Sequence, residues 1–180
     1  MPESAALTEG LENLDMKAVA RVAEKAILEE IILFDAQINR DPLGMPPKEL
    51  TLEHNFSTKI LPYEKDKTIL SVLCNFRVAA FSRKSPDKII MNIEASFCTS
   101  YVLKPIGDFD PDDIEHFSKI NPIYNTWAYW REFVQSMTTR MGFPALTVPL
   151  LKILPKKSAA KEVKGQAVKR ESARRKKLSA

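Results

Sequence analysis

Cysteine, histidine and glycine are all scarce in this chain. Two cysteines, Cys74 and Cys98, among 180 residues cannot build a disulfide framework. Both lie on or beside apolar stretches, where a buried thiol is expected rather than a zinc ligand or a nucleophile. The two histidines, His54 and His116, sit at no metal-ligand spacing from another donor. Five glycines include no Gly-rich phosphate loop. The longest apolar runs, such as Ala26–Leu28 and Ile31–Phe34, fall far short of the roughly 20 residues of a membrane helix. The opening MPESAALTEGLENLD is acidic and lacks an apolar signal core, so a cytosolic protein is expected.

What remains is a hydrophobic fraction of 44%, enough for a folded core. Charge is segregated. From Pro155 onward there are ten Lys/Arg and two Glu, a balance of +8, whereas the rest carries 17 Lys/Arg against 21 Asp/Glu. The stretch 155–180 has few large apolar groups and is expected to be a disordered basic tail.

Periodicity divides the rest. Leu11, Leu14, Ala18, Val19, Val22, Ala26 and Ile27 recur at three-to-four spacing and predict an amphipathic helix over Leu7–Leu28. The period then changes to two. Ile32, Phe34, Ala36 and Ile38 define one face of a strand, with Asp35, Gln37 and Asn39 on the other. Asp41–Pro47 reads as a loop. Leu50, Leu52, Phe56 and Ile60 predict a second strand, Leu70 to Ala80 a third, and Ile89 to Leu103 a fourth, with turns at 62–67 and 82–88. One apolar and one wetter face per strand, joined by short connections, predicts an antiparallel sheet covered on one side.

After Pro105 the period becomes helical again. Asp110-Pro111-Asp112-Asp113 is a helix start, with Asp110 as cap and Pro111 in the first turn. The run from Asp108 superficially resembles the start of a calcium loop, but the sixth position is Asp113 and the twelfth is Lys119, so helix capping is the better reading. Asn121-Pro122 reads as a second start. Ile123, Trp127, Trp130, Val134, Met137 and Met141 then form a seam that ends at Gly142, with 143–149 extended beyond it. Paired acids such as Glu29-Glu30 and Asp112-Asp113 do not face a common proton-transfer centre, so an enzyme is not expected.

The last helix carries a more specific signal. Tyr129-Trp130-Arg131-Glu132 is followed by Ser136-Met137, Arg140 and Phe143-Pro144-Ala145-Leu146. This run resembles the signature of the SecB family of protein-export chaperones, in which Y-x-R-E, S-M, R and F-P-x-L recur at this spacing. The preceding four strands and helix agree. The resemblance covers about 29–154, leaving 1–28 as an N-terminal helical extension like that of SecB-like proteins serving toxin–antitoxin systems.

The resemblance implies an α+β protomer with a four-stranded antiparallel sheet and a long C-terminal helix. It also implies a homotetramer, no cofactor, and ATP-independent holding of unfolded preproteins or of an antitoxin. Candidate client-binding residues are Phe34, Phe56, Phe76, Tyr101, Trp127, Trp130 and Phe133, with Leu43 and Met45 as a groove rim. Asp41 and Glu94 are candidate docking residues for the SecA motor. A rival reading is a nucleic-acid or ribosome-binding module with a basic tail. It would need exposed aromatics flanked by Lys/Arg on the sheet. The wetter faces instead carry Thr51, Glu53, Asn55, Ser57, Asn92, Glu94 and Ser96, so no specific nucleic-acid recognition is expected.

Overall fold

The structure is a computed structural model that describes residues 14–42, 50–63, 68–83, 85–103 and 106–151. Its elements are α1 (Met16–Ala23), β1 (Ile27–Arg40), β2 (Leu50–Ile60), β3 (Ile69–Ser82), β4 (Ser85–Val102), a short 3-10 turn (Ile106–Asp108) and α2 (Pro111–Arg140). The four strands form one antiparallel sheet in the order β1-β4-β3-β2. The expected α+β architecture is therefore present. Among the described residues, no helix is long and apolar enough to cross a membrane.

Alternation along β3 and β4 builds the core. Cys74, Phe76 and Val78 on β3 and Ile93, Ala95 and Phe97 on β4 point to α2, where they meet Ile123, Trp127, Trp130 and Val134. A second cluster joins Leu70, Val72, Tyr101, Leu103, Ile114 and Phe117 to Val22 of α1. An ion pair also fastens α1 to α2. Arg21 donates to both carboxylate oxygens of Asp113, at 2.7 and 2.5 Å. This contact holds the Asp113 carboxyl below its ordinary pKa.

Four sequence expectations are corrected. First, the N-terminal helix ends at Ala23, not Leu28. Ile27 and Leu28 pair with Val102 and Tyr101, so the sheet ladder claims them. The predicted start of that helix, 7–13, lies outside the described residues. Second, the ladder shifts between Leu33 and Asp35, leaving Phe34 as an extra residue. Ile32 therefore lies opposite Cys98 on the outer face, not on the face of Ala36 and Ile38. Third, residues 82–88 are not all turn, because β3 continues to Ser82 and β4 begins at Ser85. Fourth, Pro122 does not start a new helix but lies inside α2. Its missing N–H removes one helical bond. Burial of Ile120, Ile123, Trp127 and Trp130 on either side keeps the helix continuous. Leu43, Met45 and the tail 155–180 lie outside the described residues.

Candidate functional site

The site begins with a mismatch in coverage. Helix α2 makes most of its strand contacts with β2, β3 and β4, and of the apolar β1 residues Ile31 packs against the same cluster. Edge strand β1 keeps its apolar side chains largely in the open. Leu33 is opposite Phe97 and so points to the helix side of the sheet, yet it is 50% exposed. Leu28 and Ile38 on the same side are 41% and 40% exposed, and Phe34 at the bulge is 65% exposed. Phe133 of α2 is half-buried. Its ring meets Phe97 edge-on at 6.4 Å and stacks on Trp130 at the same separation. Phe133 and Met137 thus border the core on α2, and the apolar side chains of β1 extend from it.

Apart from Glu29 and Glu30, the first half of β1 carries apolar side chains on both faces. Ile27 and Ile32 lie on the outer face, opposite Val102 and Cys98, and both are exposed. A strand that is apolar on both faces is normally covered on both. An edge strand also leaves a row of backbone N–H and C=O groups without a ladder partner. Side-chain pockets and an open hydrogen-bonding edge are what an extended polypeptide needs in order to dock.

The sequence-predicted client-binding residues separate into two groups. Phe76, Tyr101, Trp127 and Trp130 are buried. Phe76 stacks on Trp130 at 5.3 Å with the planes 15° apart. The Tyr101 hydroxyl accepts from Asn125 Nδ2 at 2.8 Å, and burial pushes its pKa up to about 12. These four rings belong to the protomer's own core. Phe56 is half-buried, edge-on to Trp127 at 6.1 Å. Of the described candidates, Phe34 and Phe133 border the open margin. Leu28, Leu33 and Ile38 were not singled out from the sequence. The four-residue apolar run 31–34 was a signal for them, because strict alternation cannot hide both of its faces.

The C-terminal motif acts as a fastening. After Gly142, at a φ of 78° that favours glycine, the chain turns back along α2. Thr138 Oγ1 accepts from the Leu146 N–H at 3.1 Å, Arg131 Nε donates to the Val148 carbonyl at 2.8 Å, and Trp127 Nε1 donates to the Pro149 carbonyl at 2.9 Å. Phe143 and Val148 are buried in the main cluster, against which Met137 and Leu146 also pack. Arg40, at the end of β1, donates to the Met141 carbonyl and lies 5.2 Å from the Phe143 ring centre. Tyr129, Glu132, Arg140 and Pro144 are exposed, and Ser136 is half-buried.

The two candidate docking carboxylates are engaged. Asp41 forms an ion pair with Lys88 at 2.6 Å. Glu94 lies 3.3 Å from Arg77 Nε and accepts from Asn92 Nδ2 at 2.8 Å. No group of His, Cys, Asp and Glu among the described residues is placed to hold a metal ion.

No protein-family model and no curated protein matches the sequence. In three dimensions the chain matches a SecB-like chaperone of Mycobacterium tuberculosis, solved in complex with a ChAD peptide from the HigA1 antitoxin. The TM-score is 0.66 at 18% identity, covering 76% of this chain and 98% of that one. The chain has the SecB-like fold. A protein of unknown function from Streptococcus agalactiae also aligns, over 69% of this chain and 97% of that one, at 12% identity and a TM-score of 0.35. The SecB-like frame agrees with the resemblance first seen in 129–146. Within that frame, the apolar margin is the borderland between its first strand and its long helix.

Proposed function

We propose that this chain is an ATP-independent holdase chaperone that binds non-native polypeptide segments along the margin between β1 and α2. The observation that carries the reading is the exposure of Leu28, Leu33, Phe34 and Ile38 on one open edge strand. Burial of each large apolar side chain contributes about 1.5–3 kcal/mol. Association and ordering cost about 4–15 kcal/mol, so a single contact is insufficient. A long client that engages several side chains on several copies overcomes that cost. Apolar burial is non-directional, so the margin accepts many sequences.

Two client classes fit: preproteins awaiting export, and an antitoxin. The pairing of Asp41 with Lys88, and of Glu94 with Arg77 and Asn92, leaves less free negative charge for a basic SecA segment. The M. tuberculosis neighbour was solved with an antitoxin peptide. Both observations favour the antitoxin reading. Assembly as a homotetramer would cover part of the exposed apolar surface of β1 and leave the rest to the client, and the cytoplasm is the matching compartment. The test is suppression of aggregation of a reduced, unfolded client without ATP, paired with native mass determination. A fully monomeric chain that leaves aggregation unchanged would refute this reading.

A further inference from the structure

The sheet face turned away from α2 has a use separate from the apolar margin. Its central part is a shallow, polar depression of about 420 Å³ between β1 and β2. The interior is already cross-linked. Ser96 Oγ donates to Asn75 Oδ1 at 2.7 Å, and Arg77 Nε donates to Asn92 Oδ1 at 2.8 Å. The rims differ. Glu30 and Asp35 on β1 share this face with Glu53 on β2 through the ladder register. All three side chains are exposed, and none forms an ion pair among the described residues. With Arg77 engaged by Glu94, Lys59 is the remaining cation on this face of the four strands.

The opposite charge is on the same chain. The described residues end at Leu151, and 152–180 follow. From Pro155 this segment carries ten Lys/Arg and two Glu, with Val163, Val168 and Leu178 as its only large apolar residues. That composition does not fit the apolar margin, but it does fit an acidic rim. The exit point is also suitable. The Pro149 carbonyl and the Phe56 ring of β2 both contact Trp127, so the chain leaves beside the β2 edge of the sheet. A random-coil chain of 29 residues has a root-mean-square span of roughly 30 Å, enough to round that edge. Tethering raises its local concentration to the millimolar range, so weak ion pairs suffice.

We propose that the segment Pro155–Ala180 lies across the outer sheet face of its own chain, with its lysines and arginines against Glu30, Asp35 and Glu53. The segment then occupies the face that a separate basic partner would otherwise use. The proposal is independent of the holding activity.

Carbodiimide coupling of the full chain, mapped by peptide mass spectrometry, tests it. The expected result is that lysines of 155–180 couple chiefly to Glu30, Asp35 and Glu53. Yield should fall at least about threefold when salt is raised to about 0.5 M, where charge screening acts within a few ångströms. In the triple variant Glu30→Gln, Asp35→Asn, Glu53→Gln, confined to exposed side chains, the lysines of 155–180 should react faster with an acetylating reagent at low salt, by at least about threefold, because they lose their carboxylate partners. Coupling mainly to Asp108, Asp110 and Asp112 near the start of α2, no coupling at all, or an acetylation rate of the 155–180 lysines unchanged in the triple variant would each overturn the proposal.

Discussion

Arg131 on α2 donates through Nε to the carbonyl of Val148, 17 residues further along, at 2.8 Å. This single contact explains why an arginine belongs in the middle of the 129–146 motif. It holds the returning segment on the helix, so that Phe143 and Val148 fill the main cluster. Replacing Arg131 by Ala should cost roughly 1–3 kcal/mol, the range for a partly buried hydrogen bond from a charged donor. Equilibrium denaturation would show the loss, and hydrogen exchange should accelerate selectively at Leu146, whose N–H bonds to Thr138. Unchanged exchange there would remove the fastening from the account.

His54 sets a pH limit on stability. It lies on the helix side of β2, opposite Val78, and its Nδ1 is buried with no partner among the described residues. Burial holds its pKa below the ordinary 6.5. The unfolded chain therefore takes up this proton at a higher pH than the folded one does. The contribution of His54 is present above about pH 6.5 and is lost as pH falls through the lowered folded value. His54→Leu should flatten the fall in denaturation midpoint between about pH 7 and pH 5, above most carboxylate titration. An identical pH slope in wild type and variant would contradict the assignment.

Cys74 should be chemically silent. It is fully buried against α2, and burial pushes its thiol up to about 12. At pH near 8, a thiol reagent should modify Cys74 only at the rate of global unfolding, and immediately in denaturant. Fast labelling under native conditions would show that the sheet–helix core opens locally.

The sequence disclosed the parts of the fold where one rule acts alone. The central parts of β3 and β4 are read correctly, because Cys74, Phe76, Val78, Ile93, Ala95 and Phe97 alternate without interruption. The cap Asp110, whose side chain accepts from the Asp112 N–H at 3.0 Å, and Gly142 were legible for the same reason. The reading failed where long-range contacts override a local rule. Pro122 signals a helix start, but packing on both sides carries the helix through it. The β1 bulge gives no signal in the alternation pattern, because Ile31, Ile32, Leu33 and Phe34 are all apolar and any phase fits them. Four of the aromatic candidates, Phe76, Tyr101, Trp127 and Trp130, lie in the core, where large rings fill the most space. Which apolar residues stay uncovered depends on where α2 lies over the sheet, and residue type does not encode that placement.

The central claim is that exposed β1 side chains hold non-native polypeptide. The direct measurement is aggregation of a reduced, unfolded client without ATP, comparing the full chain with Leu33→Ser/Phe34→Ser. Both positions are at least half exposed, so stability should change by no more than about 0.5 kcal/mol each. The account predicts native circular dichroism with protection lost at least tenfold, the equivalent of about 1.4 kcal/mol of client affinity. Full protection by the double variant would contradict it.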